Sequence, residues 1–132
     1  MKAIALALVG TLATSSNAVH AENLPANTVP PLPGADVRSI GQKPCNLSLQ
    51  EWTHDSQTQT LDFYANWATS KGLKLTTKPS ASTDFPLWFF ADPQTHESVT
   101  LMFGPNADHN FVAVNYEAGT KKQGCPDSPM IR

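Results

Sequence analysis

The chain has 132 residues, 40% of them hydrophobic and 15% charged, with eleven prolines, two cysteines and a formal charge of −2. That length and mixture argue against a multi-domain enzyme and against a disordered, collagen-like or cysteine-dense scaffold. Basic residues are scattered and form no basic amphipathic helix, so neither nucleic acid nor an anionic membrane surface is an expected partner.

In chain order, residues 1–21 read as a secretory signal. Lys2 gives a positive start, Ala3 to Ala13 is apolar, and Val19 and Ala21 are the small residues that signal peptidase requires at −3 and −1. The apolar run is about eleven residues, well short of the roughly 20 that span a bilayer, and no later stretch comes close. The expectation is a mature protein without a transmembrane segment, periplasmic or secreted, exported in the bacterial manner. Cleavage after Ala21 removes Lys2 and leaves eight basic and eleven acidic side chains.

Residues 22–44 hold Pro25, Pro30, Pro31, Pro33 and Pro44, and their apolar residues follow no period. Proline lacks the N–H that helix and sheet ladders need, so this segment is expected to be a proline-rich extended arm. It reads as a spacer more than as a peptide ligand, since it lacks a P-x-x-P motif with flanking charge.

The compact domain is expected over residues 45–125, with residues 126–132 as a tail. In an oxidising compartment two cysteines in a small domain pair, so Cys45 and Cys125 should form one disulfide. Closing a loop of about 80 residues stabilises the fold by roughly 4 to 4.5 kcal/mol in the chain-entropy model. A redox role would call for C-x-x-C spacing or a thiol beside a base, and the sequence has neither.

After Cys45, Ser48 and Glu51 have capping-box spacing, so a helix can begin there, or later at Asp55 or Ser56. Its firmer half places Leu61, Tyr64 and Ala68 on one face and ends at Gly72. The period then changes to two. Leu73 to Thr76 is a short strand ended by Pro79, and Leu87 to Ala91, Ser98 to Phe103 and Phe111 to Tyr116 are three more, separated by turn-forming loops. Short connections favour antiparallel neighbours. The expected fold is α+β: one main helix packed on a three- to four-stranded antiparallel meander, with one disulfide.

Chemistry-bearing patterns are sparse. His54, His96 and His109 each have an acidic neighbour, yet His96 and His109 fall at opposite ends of one strand, roughly 20 Å apart. They cannot share an ion, and no H-x-x-x-H spacing exists, so no metal and no cofactor is expected. No nucleophile elbow, phosphate loop or dinucleotide fingerprint occurs, and no catalytic residue stands out.

Leu87-Trp88-Phe89-Phe90 instead places bulky groups on both faces of one strand, and a single helix covers only one face. If Val99, Leu101 and Phe103 join Val112, Val114 and Tyr116 beneath the helix, then Met102, Phe111 and either Phe89 or the Trp88/Phe90 pair face the other way. The arm or the Cys125 tail could cover that second face; otherwise it marks a partner. Trp88, Phe89, Phe90, Met102 and Phe111 are therefore the candidate partner-binding residues. The expected function is a non-enzymatic exported protein that binds another envelope or secreted protein, as accessory factor, inhibitor or immunity protein. The alternative is a small exported hydrolase whose site is dispersed in sequence, gathering His54 with His96 or His109. Trp67-Ala68 followed by Gly72-Leu73-Lys74-Leu75 resembles the helix-to-strand passage of small domains in envelope secretion and pilus-assembly proteins, a likeness that transfers no residue role.

Overall fold

The computed structural model describes residues 22–79, 85–104 and 110–125. The signal segment 1–21, the tail 126–132 and His109 lie outside the described residues. The elements are β1 (Asp36–Gln42), β2 (Asn46–Thr53), α1 (Gln57–Ser70), β3 (Lys74–Thr77), β4 (Leu87–Ala91), β5 (Ser98–Phe103) and β6 (Asn110–Glu117). All strands join one antiparallel sheet in the order β1-β2-β6-β5-β4-β3. The α+β class and the single disulfide hold, but the sheet has six strands where three to four were expected.

Two segments account for the difference. Between Pro33 and Pro44 no proline interrupts the chain, so the residues expected to sustain no ladder form β1 as an edge strand. Its residues are nearly all exposed, and for that reason it carries no hydrophobic period. In β2 the residues turned inward are Leu47, Leu49, Glu51 and Thr53. The period is two, masked by a buried glutamate that also mimics a helix-start signal.

The helix start lies eight residues beyond Ser48. Ser56 Oγ accepts from the Gln59 N–H at 3.1 Å, and the Gln59 side chain accepts from the Ser56 N–H at 2.9 Å, a reciprocal cap. At the far end Gly72 adopts φ +86°. The Leu73 N–H donates to Ala68 O and the Gly72 N–H to Thr69 O, closing the last turn while Leu73 is buried.

α1 carries the chain from β2 to β3, which lie four strand intervals apart. Four intervals span about 19 Å, and a 14-residue helix is about 21 Å long. One helix is therefore just long enough to bridge that part of the sheet. The meander β3-β4-β5-β6 then brings the chain back until β6 pairs with β2, and Ala118 N–H bonds Cys45 O beside the Cys45–Cys125 disulfide.

The core lies between α1 and one face of the sheet. Tyr64, Ala68, Leu47, Leu49, Val99, Leu101, Phe103, Val112 and Val114 are all about fully buried there. The proline-rich arm joins it: Leu24, Val29 and Leu32 are core residues. The folded unit thus begins near Leu24, upstream of Cys45. The arm is held by backbone and side chain alike, with the Leu24 N–H donating to Lys43 O at 2.8 Å and Gln42 Nε2 to Leu24 O at 3.0 Å.

Candidate functional site: the open face of the sheet

The ladder register assigns each strand residue to a face. Leu49 is opposite Val114, which is opposite Leu101, which is opposite Trp88. Val99 is likewise opposite both Tyr116 and Phe90, and Phe103 opposite Val112. These residues line the face beneath α1. The alternate residues Trp52, Phe111, Ala113, Met102, Leu87, Phe89 and Ala91 therefore share the other face.

Of the five candidate partner-binding residues, the fold thus separates two from three. Phe90 is 3% exposed in the core, and the Trp88 ring meets Phe103 edge-on at 5.4 Å. Phe89, Met102 and Phe111 lie on the face away from α1, open among the described residues, with the tail 126–132 outside them. Three more join them: Trp52, whose ring stands edge-on to Phe111 at 5.6 Å, Leu87, paired with Met102, and Ala113, also paired with Met102. Trp52 escaped notice because a helix was expected there. Its strand parity, read from Leu47 and Leu49, is the signal that would have found it.

Trp52, Phe111, Met102 and Leu87 are half-buried, while Phe89 is nearly closed over at 6% exposure. The Arg38 guanidinium sits over the Trp52 ring at 5.6 Å, within cation–π range. Towards the β3 edge the face sinks into a cavity of about 470 Å³ with Phe89, Ala91 and Pro93 in its wall.

The arm does not cover this face. Leu32 N–H donates to Glu51 Oε1 at 2.7 Å, and Tyr64 Oη lies 2.8 Å from Pro30 O and 2.5 Å from Glu51 Oε2. Tyr64 belongs to α1, so the arm and the helix are fastened to the same side of the sheet. Glu51 is fully buried, and desolvation raises its pKa above the ordinary carboxylate value, outweighing the bonds from Tyr64 and Leu32 that lower it. A phenol has one proton to donate. Tyr64 Oη donates to Glu51 Oε2, and Pro30 O lies within reach of the same hydroxyl. Burial and the adjacent Glu51 push the Tyr64 hydroxyl upward in turn.

A second buried glutamate, Glu97, sits near the end of the sheet at which β6 terminates. Tyr116 Oη donates to its Oε2 at 2.6 Å, and Lys71 Nζ and Lys121 Nζ lie 3.5 and 3.3 Å from its oxygens. Lys71 also lies over the Trp67 and Tyr116 rings. Every partner in this cluster is supplied from within the chain, so it ties the β4–β5 turn to α1 and β6.

Of the described histidines, His54 and His96 do not converge, and His109 lies outside the described residues. His54 follows Thr53, opposite Asn110, whereas His96 precedes Glu97 beside Ser98, opposite Glu117. Seven residue steps of β6 separate those levels by about 24 Å. Among the described residues no three His, Cys, Asp or Glu side chains are grouped to hold a metal ion, and no helix is long and apolar enough to cross a membrane.

Fold and site together define an α+β protein whose six-stranded antiparallel sheet is packed on one face by a helix and an N-terminal arm. No protein-family model, curated protein or solved structure matches this chain.

Proposed function

We propose that this is a non-enzymatic exported protein that uses the open face of its sheet to bind another envelope or secreted protein, as an accessory factor, inhibitor or immunity protein. One observation carries the reading: helix and arm share a single face, while Trp52, Leu87, Met102 and Phe111 form an apolar row on the other that neither covers. Aromatic, methionine and arginine side chains are the residues enriched at protein interfaces. The reading of residues 1–21 as a signal and the Cys45–Cys125 disulfide support an oxidising, periplasmic or extracellular setting.

The experiment is cross-linking capture from intact cells of the species that makes the protein, comparing wild type with Met102→Ala and Phe111→Ala. Truncating a central anchor costs about 2 kcal/mol or more of binding, so a specific partner should be recovered at least tenfold less. Retention of every captured protein by both variants, with melting curves unchanged, removes the open face as the contact surface.

A further inference from the structure

The cavity on the open face lies against an edge of the sheet. β3 ends the strand order, and all four of its residues are exposed. Among the described residues no strand runs along its outer side, so backbone N–H and C=O groups not paired with β4 face outward on either side of a register irregularity between Leu75 and Thr77. At that edge, Lys74, Leu75, Thr76 and Thr77 on β3 and Phe89, Ala91 and Pro93 beyond it line an open cavity of about 470 Å³. That size lies within the range of ligand pockets. Lys74 pairs with Ala91 and Thr77 with Phe89, so the cavity opens on the face that carries the apolar row.

Charge at this edge is one-sided. From Phe63 to Thr83 the sequence has no carboxylate but three lysines, Lys71, Lys74 and Lys78, in a protein of negative net charge. Lys71 is engaged with Glu97. Lys74 and Lys78 are exposed. Asp92, adjacent to both Ala91 and Pro93, is committed to the turn, its carboxylate accepting from the Gln94 N–H at 2.8 Å. Lysines on an edge repel a second copy of the same edge and favour an acidic strand instead.

We propose that β3 is a docking edge for an extended acidic peptide segment of a partner protein, which adds as a seventh strand and places an apolar side chain in the cavity beside Phe89, Ala91 and Pro93. The inference rests on the protein-binding reading above and specifies how the partner is held. Main-chain bonds supply affinity and the alternate side chains supply selectivity, the apolar set entering the cavity on the face that carries Lys74 and the acidic set facing the other way, toward Lys78. β3 is about 14 Å long, so it pairs with about four residues of the peptide.

The probe is a fluorescein-labelled heptapeptide of alternating glutamate and valine, followed by anisotropy against the oxidised protein. Saturable binding is expected. A peptide with lysine in place of glutamate should not bind, and one with glycine in place of valine should bind at least tenfold more weakly. The double variant Lys74→Glu/Lys78→Glu, altered only at exposed positions, should reverse the preference between the glutamate and lysine peptides. Equal binding of both charged peptides, indifference to the double variant, or protein self-association with no peptide binding each overturns the proposal. A captured partner that is lost with Met102→Ala but kept by Lys74→Glu/Lys78→Glu overturns the edge while leaving the open face standing. Peptide binding at the edge alongside a partner indifferent to Met102 and Phe111 does the reverse.

Discussion

Replacing Glu51 with glutamine tests the arm clamp. The glutamine keeps the shape of the side chain and an oxygen for the Leu32 N–H. It cannot ionise. Because the folded-state pKa of Glu51 is raised, its contribution to stability is fully present below the unfolded carboxylate pKa and is lost as pH rises through the folded value. Within that window the folded protein holds one proton more than the unfolded chain at this residue, so wild-type stability falls by up to about 1.4 kcal/mol per pH unit from this group alone. Glu51→Gln lacks that slope. Urea unfolding of both proteins from pH 4 to pH 8 should show their stability difference growing in favour of Glu51→Gln as pH rises, with other titrations cancelling in the comparison. A constant offset across the range would refute the upward shift of the Glu51 carboxyl and the burial that causes it.

Three further outcomes follow from the same contacts. Leu32→Ala empties a buried site where the arm meets the core and should cost about 2 to 4 kcal/mol, lowering the melting temperature and raising amide exchange in residues 24–35. Gly119 has φ +58°, and a methyl there would collide with Thr95 O, His96 C and Glu97 N, whereas Gly124 at φ +91° faces open space. Gly119→Ala should therefore destabilise by at least about 2 kcal/mol more than Gly124→Ala, and equal melting temperatures would contradict the packing of that turn. Cys45→Ser/Cys125→Ser should lose up to about 4 kcal/mol in chemical denaturation, the same loss that reduction of the wild type produces.

The sequence was most legible where burial is one-sided. Strands β4 and β5 fall where alternation and turn residues place them, and β6 extends only one residue further at each end. Leu47, Leu49, Glu51 and Thr53 alternate as well, but a glutamate inside the core looks like a polar break. It becomes readable only once Tyr64 and Leu32, far away in sequence, are known to surround it. β1 was hidden for the opposite reason: an exposed edge strand buries too little to leave a pattern. The arm was misread because prolines do exclude a ladder, while Leu24, Val29 and Leu32 enter the core from an irregular backbone that has no period to detect. On the open face, Phe89, Met102 and Phe111 were recoverable from strand parity. Trp88 and Phe90 could be separated from them only by the ladder register.

The pairing of β2 with β6 joins distant parts of the chain. Asn46 finds its partner in Glu117, and Glu51 finds shelter only when α1 and the arm are both in place. Without β6, the β1–β2 pair has one edge bare. Non-local pairing of this kind is slow to form, since a long loop must close before the contacts that compensate for it appear. The strand that closes the sheet is thus the last in the sequence, and its pairing with β2 lies beside the bond that joins the two cysteines.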